Sequence, residues 1–428
     1  MKANIVTLGC SKNTVDSENI AGHLAQAGVK VVFDSRRTDW DVAVVNTCGF
    51  IGDAKEESIA MLLELADVKQ RGRKPRRIVA VGCLVERYRE ELQGEMPEID
   101  AWYGVHQWEE MLEREFGIGH PDFFAQRLPS TPSHYAYLKI SEGCNRSCSY
   151  CAIPLIRGAH RSRPIDDLVA EAKSLVANGA QEIIVIAQDT TYYGLDLYGR
   201  RRLADLLERL ATESGAHWIR LHYTYPTSFP QDAIEVMRRH KNICNYIDIP
   251  LQHISTRLLK SMQRGIDKEG TLALLDTFRA QLPDVAIRTT LIAGYPGETE
   301  SDFEELKDFV RQARFDRMGV FAYSAEEDTP AYALPDDVPT EEKERRVSEL
   351  MAIQEQISLE KNEARIGRTY EVVIDRCEGD FWVGRTEYDS PEVDDEVLVA
   401  ASTLLEPGHF YQVRITDAME NDLVGELC

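Results

Sequence analysis

Three cysteines fall within eight residues in Cys144-Asn145-Arg146-Ser147-Cys148-Ser149-Tyr150-Cys151, a C-x3-C-x2-C run. A loop this short cannot bury three thiols separately. Iron–sulfur clusters are held by cysteine thiolates in short local runs, and a cubane normally takes four of them. Here the run supplies three, and the next cysteine along the chain is Cys244. One iron would lack a protein ligand, and an open metal position is what a catalytic site needs. A zinc knuckle or three unrelated thiols fit less well, because zinc sites favour paired C-x2-C half-sites with a distant second pair.

Six strand-like runs surround that loop, over 135–140, 182–187, 217–223, 246–250, 285–293 and 317–323. Helical patterns separate them, over 165–178, 203–214, 231–239, 268–281 and 301–313. Six β/α repeats in roughly 200 residues suggest a partial TIM-like (β/α)6 barrel, with its site at the C-terminal ends of the strands. The cysteine loop follows strand one, as that arrangement requires. Other strand ends carry Gln188-Asp189, Tyr225-Pro226, Gln252-His253 and Gly294-Tyr295-Pro296-Gly297-Glu298. Glycines 294 and 297 let the backbone approach a ligand closely.

The N-terminal part repeats another pattern three times. Apolar runs end in Cys10, Cys48 and Cys83, and each is followed by a helical pattern. The alternation argues for βαβ units with a parallel sheet, in which ligands bind beyond the carboxyl ends of the strands. All three cysteines sit at such ends, just before helices, where helix N-termini stabilise thiolates. Three buried core cysteines would be the plainer reading. Their shared structural position instead predicts a second three-cysteine iron–sulfur site.

The C-x3-C-x2-C loop opening a β/α pattern resembles the radical S-adenosylmethionine (SAM) superfamily. The resemblance implies a [4Fe–4S] cluster on Cys144, Cys148 and Cys151 whose open iron is chelated by SAM. SAM is then split to a 5′-deoxyadenosyl radical that takes hydrogen from an unactivated carbon. It also implies cofactor contacts from Tyr150, Gln188, Asp189, Arg220, Gln252 and Gly294. Gln188 and Asp189 stand where a Gly-Gly-Glu segment binds the SAM amino group elsewhere in the superfamily. The N-terminal part resembles the methylthiotransferase family, in which Cys10, Cys48 and Cys83 match the ligands of an auxiliary [4Fe–4S] cluster. Thr7-Leu8-Gly9-Cys10-Ser11-Lys12-Asn13, Asn46-Thr47-Cys48-Gly49-Phe50-Ile51 and Arg157-Gly158-Ala159-His160-Arg161-Ser162-Arg163-Pro164 look like the branch that modifies ribosomal protein uS12. The tRNA-modifying branch usually has serine, not glycine, after the second cysteine.

Four segments follow from these patterns: residues 1–128 as the N-terminal domain, 134–335 as the radical SAM domain, 336–366 as a helical linker with Thr340 as N-cap, and 367–428 as a small barrel. The first boundary falls where periodicity is lost over 114–133, with Pro121, Pro129 and Pro132. Five short strand patterns in the last segment suggest an OB-like barrel and resemble a TRAM domain. Tyr370, Trp382, Tyr388 and Phe410 are expected in its core. That segment holds 15 Asp or Glu against four Arg and no Lys, a net of −11, within a chain whose net charge is −23. Such a surface repels phosphate and attracts a Lys/Arg-rich partner. The basic run over 69–77 reads as a solvated loop.

Nine cysteines without a signal-like N-terminus, and no run of 18 apolar residues, point to reduced thiols in the cytoplasm and no membrane span. The reading reached is a radical SAM methylthiotransferase with two [4Fe–4S] clusters. It would act on an aspartate of uS12, work as a monomer, and draw electrons from a flavodoxin or ferredoxin. Two alternatives are a tRNA adenosine methylthiotransferase, for which a basic C-terminal barrel is expected, and a non-catalytic iron–sulfur or ribosome-binding factor, which gains nothing from open irons.

Overall fold

The first β/α alternation folds as β1 (Lys2–Thr7), α1 (Ser11–Gln26), β2 (Lys30–Phe33), β3 (Val42–Thr47), α2 (Gly52–Gln70), β4 (Arg77–Gly82), α3 (Cys83–Glu95), β5 (Ala101–Tyr103) and α4 (Trp108–Phe116). The computed structural model describes every residue except 38, 120, 121, 123, 125 and 403. Pro121, counted above with the boundary stretch, lies outside the described residues. The five strands form one parallel sheet in the order β2-β1-β3-β4-β5. Alternate residues supply two cores. Ile5, Val44 and Val79 face Ile20 and Leu24 of α1 and Met111 of α4. Val6, Val45 and Ala80 face Leu62 and Leu65 of α2 and Val85 of α3. Helices therefore cover both faces, the doubly wound arrangement. Strands β2 and β5 escape the sequence patterns because they are short and lie at the sheet edges.

The chain divides into two units. The first comprises Met1–Thr131, Glu142–Arg146 and Cys151–His160, and so includes a short helix α5 (Ile153–Arg157). The second comprises Pro132–Ser141, Ser147–Tyr150 and Arg161–Cys428.

In the second unit, the strands Tyr135–Lys139, Glu182–Ile186 and Trp218–Leu221 form one parallel sheet. Tyr246–Asp248, Ala286–Ala293 and Arg317–Ala322 form another. A parallel bridge from Ile219 to Ile243 leads from one sheet toward the other. The six strands thus make the open (β/α)6 barrel read from the sequence. One alternation, with Ile183, Val185, Ile219, Ile247 and Ile287, packs beneath the helices. The other alternation carries the charged and hydroxyl side chains Tyr135, Tyr137, Glu182, Arg220, Tyr246, Asp248 and Arg288 among apolar ones such as Ile184 and Ile186. The helix Thr340–Glu363 starts at Thr340 itself, with Pro339 at the cap position. Its Leu350 and Ile357 join the barrel's apolar core. It is therefore an integral layer of this unit rather than a linker.

The C-terminal strands Thr369–Glu378, Phe381–Arg385, Glu396–Ala400, Phe410–Ala418 and Asp422–Leu427 form a closed barrel. Trp382 lies in its core with Tyr370 packed against it, whereas Phe410 and Tyr388 pack with Trp218, Cys244 and Tyr246 of the larger barrel. Residues 386–395 enter the larger barrel at the first residues of its strands. Glu392 accepts from Tyr135 Oη at 2.8 Å and Tyr137 Oη at 3.1 Å. Asp394 accepts from Tyr246 Oη at 2.7 Å and pairs with Arg288 at 3.2 Å. Arg317 pairs with Asp389 and Asp395.

Part of the acidic excess of this segment is consequently half-buried, and Asp389 is fully buried. Its exposed acids are Glu378, Asp380, Glu392, Glu406, Asp417, Glu420 and Glu426, against exposed Arg368, Arg376 and Arg414. The face remains acidic, but less so than composition suggests.

Candidate functional site

In the first unit the two strands flanking the reversal of strand order, β1 and β3, run directly into the loops bearing Cys10 and Cys48, and β4 runs into Cys83. Cys10 is the N-cap of α1, Cys48 lies four residues before α2, and Cys83 opens α3. Three helix N-termini, each bearing a partial positive charge, thus accompany three thiols. Close backbone approach draws the loops together. A Cβ on Gly9, whose φ is +93°, would lie 2.7 Å from the Cys48 Cβ and Sγ. A Cβ on Gly49 would lie 2.7 Å from the backbone of Leu84.

A buried polar web fixes the same loops. Asn13 Nδ2 donates to the Leu8 carbonyl at 2.8 Å and the Thr47 carbonyl at 3.2 Å. Asn46 Nδ2 donates to the Asn13 carbonyl at 2.9 Å. Ser58 Oγ accepts from the Cys48 N–H at 2.9 Å and donates to its carbonyl at 3.0 Å. Asn13, Asn46 and Ser58 are fully buried or nearly so. Asn13 and Asn46 belong to sequence stretches that carried the family resemblance, and with Ser58 their work is to hold loop geometry.

Burial pushes the Cys48 thiol up to about 12, with the neighbouring Cys10 and Cys83 adding to the rise. Burial also raises Cys83, opposed by the Arg157 guanidinium. Neighbouring thiols, two buried and Cys10 exposed, that repel one another's ionisation are what a cationic guest would relieve, because a bound metal deprotonates its thiol ligands. Among the described residues, no group of three or more His, Cys, Asp or Glu side chains is arranged around a single metal ion. A cubane asks instead for thiolates on separate irons, so this donor set fits a cluster.

Arg157, on α5, is 3% exposed and has four partners in the first unit. Nη1 pairs with Asp16 at 2.8 Å and with Glu142 at 3.1 Å. Nη2 donates to Asn13 Oδ1 and, at 3.3 Å, to Cys83 Sγ. Ile156 and Ala152 of the same segment pack on Cys83. In the C-x3-C-x2-C run, the Cys144 N–H donates to the Gly158 carbonyl at 3.1 Å, and the Arg146 N–H lies 3.4 Å from Cys144 Sγ.

In the second unit Cys148 is buried beside a second arginine that the sequence did not single out. Arg264 Nη1 donates to Cys148 Sγ at 3.3 Å and to Tyr150 Oη at 3.3 Å, and Nη2 donates to the Pro250 carbonyl. Its guanidinium lies 4.2 Å from the Tyr225 ring centroid, and Tyr225 Oη is 3.4 Å from Cys148 Sγ. Burial would lower the Arg264 pKa, but Tyr150 and Cys148 outweigh it and raise it. The turn is fixed by Ser149, whose N–H donates to the Met262 carbonyl at 3.0 Å and whose Oγ donates to the Ser261 carbonyl at 2.8 Å. Arg264 lies in a turn between helical patterns, and no periodicity marks it.

The expected cofactor contacts separate. Gln252 follows the fourth strand with φ +76° and bridges Leu291. The Gly294 N–H donates to Glu298 Oε2 at 2.9 Å. Asp189 caps the next turn, accepting from Thr191 N–H at 2.9 Å and Oγ1 at 2.6 Å, with Gln188 just before it. Arg220 departs from the expectation. It is fully buried, donates to Glu182 at 2.7 Å and to the Glu387 carbonyl at 2.7 Å, and stacks on Tyr246. It is held by the ion pairs beneath the barrel, and its alternation along the strand aims it there.

Three family models match the chain: the radical SAM superfamily over residues 138–310, an uncharacterized protein family designated UPF0004 over residues 2–104, and the TRAM domain over residues 366–428. The ribosomal protein uS12 methylthiotransferase RimO of Christiangramia forsetii is 53% identical over 426 residues, covering 99% of this chain and 94% of the relative. That of Bacteroides thetaiotaomicron is 52% identical over 428 residues, covering 100% and 98%. Among solved structures, the radical S-adenosylmethionine methyltransferase TsrM from Kitasatospora setae, with cobalamin and a [4Fe-4S] cluster bound, aligns with a TM-score of 0.54 at 13% identity, over 89% of this chain and 80% of that one. The cobalamin-dependent radical enzyme OxsB aligns with a TM-score of 0.53 at 11% identity, over 83% and 56%. At these identities the two structures speak for the fold alone.

Proposed function

This chain belongs to the ribosomal protein uS12 methylthiotransferase family of radical SAM enzymes, and we propose that it attaches a methylthio group to the β-carbon of an aspartate in uS12. We assign Cys10, Cys48 and Cys83 to one [4Fe–4S] cluster and Cys144, Cys148 and Cys151 to a second, at which SAM binds. Bound there, clusters and SAM supply an electron, a methyl group and a radical able to take hydrogen from a carbon with no useful acidity.

The protein's part is positional. Asn13, Asn46 and Ser58 hold the three N-terminal loops at fixed spacing, so the thiolates meet their guest preorganised. Arg264 places a charged donor beside Cys148, while Tyr225 Oη lies against the same sulfur and donates to the Arg264 carbonyl, fixing the turn. We assign Tyr150, Gln188, Asp189, Gln252 and the Gly294 turn to SAM, and withdraw Arg220 from that set.

The single observation that carries the assignment is the placement of Cys10, Cys48 and Cys83 in the loops that leave the adjacent strands β1, β3 and β4 at one edge of the sheet. Kinship over the full length with uS12 methylthiotransferases favours this reading over the tRNA-modifying and the non-catalytic alternatives. The exposed acidic side chains of the C-terminal barrel suit a Lys/Arg-rich protein partner. A ribosomal substrate places the enzyme in the cytoplasm, and among the described residues no helix is long and apolar enough to cross a membrane. A flavodoxin or ferredoxin as reductant and a monomeric state complete the proposal.

Mass spectrometry of uS12 and of tRNA from a deletion strain tests the substrate. Loss of the methylthio group from uS12, restored by the wild-type gene, is the expected result, and a defect in tRNA alone overturns it. Anaerobic iron counting tests the ligands. Replacing Cys10, Cys48 and Cys83 by Ala is expected to halve the iron bound, and an unchanged iron content removes them from the ligand set.

A further inference from the structure

In each cysteine set a buried guanidinium lies within hydrogen-bonding reach of a sulfur, Arg157 at Cys83 and Arg264 at Cys148, both at 3.3 Å. The other groups that the Arg264 terminal nitrogens meet are neutral, Tyr150 and the Pro250 carbonyl. Arg157 differs, because its other terminal nitrogen is met by two carboxylates, Asp16 and Glu142. With Arg157 3% exposed, this cation is compensated inside the first unit, where charges act at low effective dielectric. Asp16 lies on α1, six residues after Cys10, and Glu142 lies two residues before Cys144. The guanidinium therefore ties a helix that begins at one cysteine to a segment that leads into the other set. All the contacts lie within the first unit.

Cluster potentials are set by net charge, by hydrogen bonds to the sulfurs and by solvent exposure. A cation that donates to a ligand sulfur favours the reduced, more negative cluster. The two carboxylates behind it work in the opposite sense. We infer that Arg157 is a positioning residue that sets the reduction potential of the cluster on Cys10, Cys48 and Cys83, with Asp16 as its counterweight. This rests on the ligand assignment proposed above. The redox change at issue is the uptake of one electron from a chemical titrant, with no bond made or broken. The inference makes a prediction of sign that a packing role does not. Removing the guanidinium moves the potential down, whereas removing the Asp16 charge moves it up.

The experiment uses the full-length chain with Cys144, Cys148 and Cys151 replaced by Ala, reconstituted with iron and sulfide, so that one cluster signal is read. Reductive titration is followed by electron paramagnetic resonance for the parent, R157Q, R157K and D16N. The expected result is a potential more negative than the parent for R157Q, intermediate for R157K, which keeps the charge but loses the planar fork, and more positive for D16N. Potentials unchanged in R157K and D16N, or shifted in the same direction in both, overturn the inference. If R157Q fails to hold iron, the opposite signs of R157K and D16N still decide it. If the parent itself takes up no cluster, the ligand assignment has failed, and the inference falls with it.

Discussion

Replacing Glu182 by Gln should destabilise the second unit more than any single change on its surface. Glu182 opens the second barrel strand, is 1% exposed, and stands between Arg220, at 2.7 Å, and Arg385. Arg385 also meets Asp375 at 3.0 Å, which in turn accepts from His134 at 2.7 Å. Glutamine keeps the shape but removes the charge, leaving Arg385 with Asp375 and Arg220 with the Glu387 carbonyl. Breaking a buried pair by removing one partner costs about 3–5 kcal/mol, because the other charge is left uncompensated. For units of this size that corresponds to a fall in Tm of roughly 5–15 °C. The sign with pH follows from the carboxyl. Burial raises its pKa, but Arg220 and Arg385 outweigh burial and hold it below the usual value. A carboxylate so depressed stabilises the fold above the unfolded value of about 4.3, and that stabilisation is lost as pH falls through the lower folded value. Urea unfolding of wild type and E182Q should therefore differ most near neutral pH and converge in acid. A triple change to E182L, R220M and R385M should recover much of the loss, since apolar replacement of a whole buried network is often neutral or better. An E182Q protein within about 1 kcal/mol of wild type at pH 7 would refute the view that this network joins the small barrel to the large one.

Three further outcomes are expected. A serine at Gly49 would bring its Cβ 2.7 Å from the backbone of Leu84, which cannot yield as a side chain would; G49S should cost about 1–3 kcal/mol and lower iron retention at the N-terminal site, read by iron counting and thermal melts. R264Q removes the charged donor from Cys148 and should slow SAM cleavage without substrate by at least tenfold while iron content holds, with R264K recovering part of the rate, read by product chromatography. Burial pushes Asp395 up to about 7, partly offset by Arg317 and reinforced by Asp389. Its protonated form suits the fold, so its contribution is full below the unfolded value of about 3.9 and is lost as pH rises through 7. Denaturant titrations should find D395N gaining on wild type between pH 5 and pH 8.

Much of the scaffold was legible because it is encoded locally. β-Branched runs with helical spacing between them located all six strands of the large barrel, from Tyr135–Lys139 to Arg317–Ala322, and the five of the small one. Strands β2 and β5 were missed because four and three residues at a sheet edge carry too little periodicity. The placement of Cys10, Cys48 and Cys83 at the ends of β1, β3 and β4 was legible, since parallel connections return each strand end to the same edge of the sheet.

What the linear order of residues determined by itself was the kind of chemistry: which sulfurs are available, on which strand ends, and in sets of three. What only the tertiary structure decided was the partnership of the charged side chains. Arg220 reads as a strand-end cation until Glu182, 38 residues away, and the Glu387 carbonyl, 167 residues away, claim it. Arg264 reads as an ordinary turn residue until Cys148 is found beside it, 116 residues earlier in the chain. Asp389, Asp394 and Asp395 read as surface charge until Arg317, Arg288 and Tyr246 claim them. Backbone periodicity is a property of neighbours along the chain. A buried ion must be matched wherever the fold happens to bring its opposite, and no local pattern records that distance.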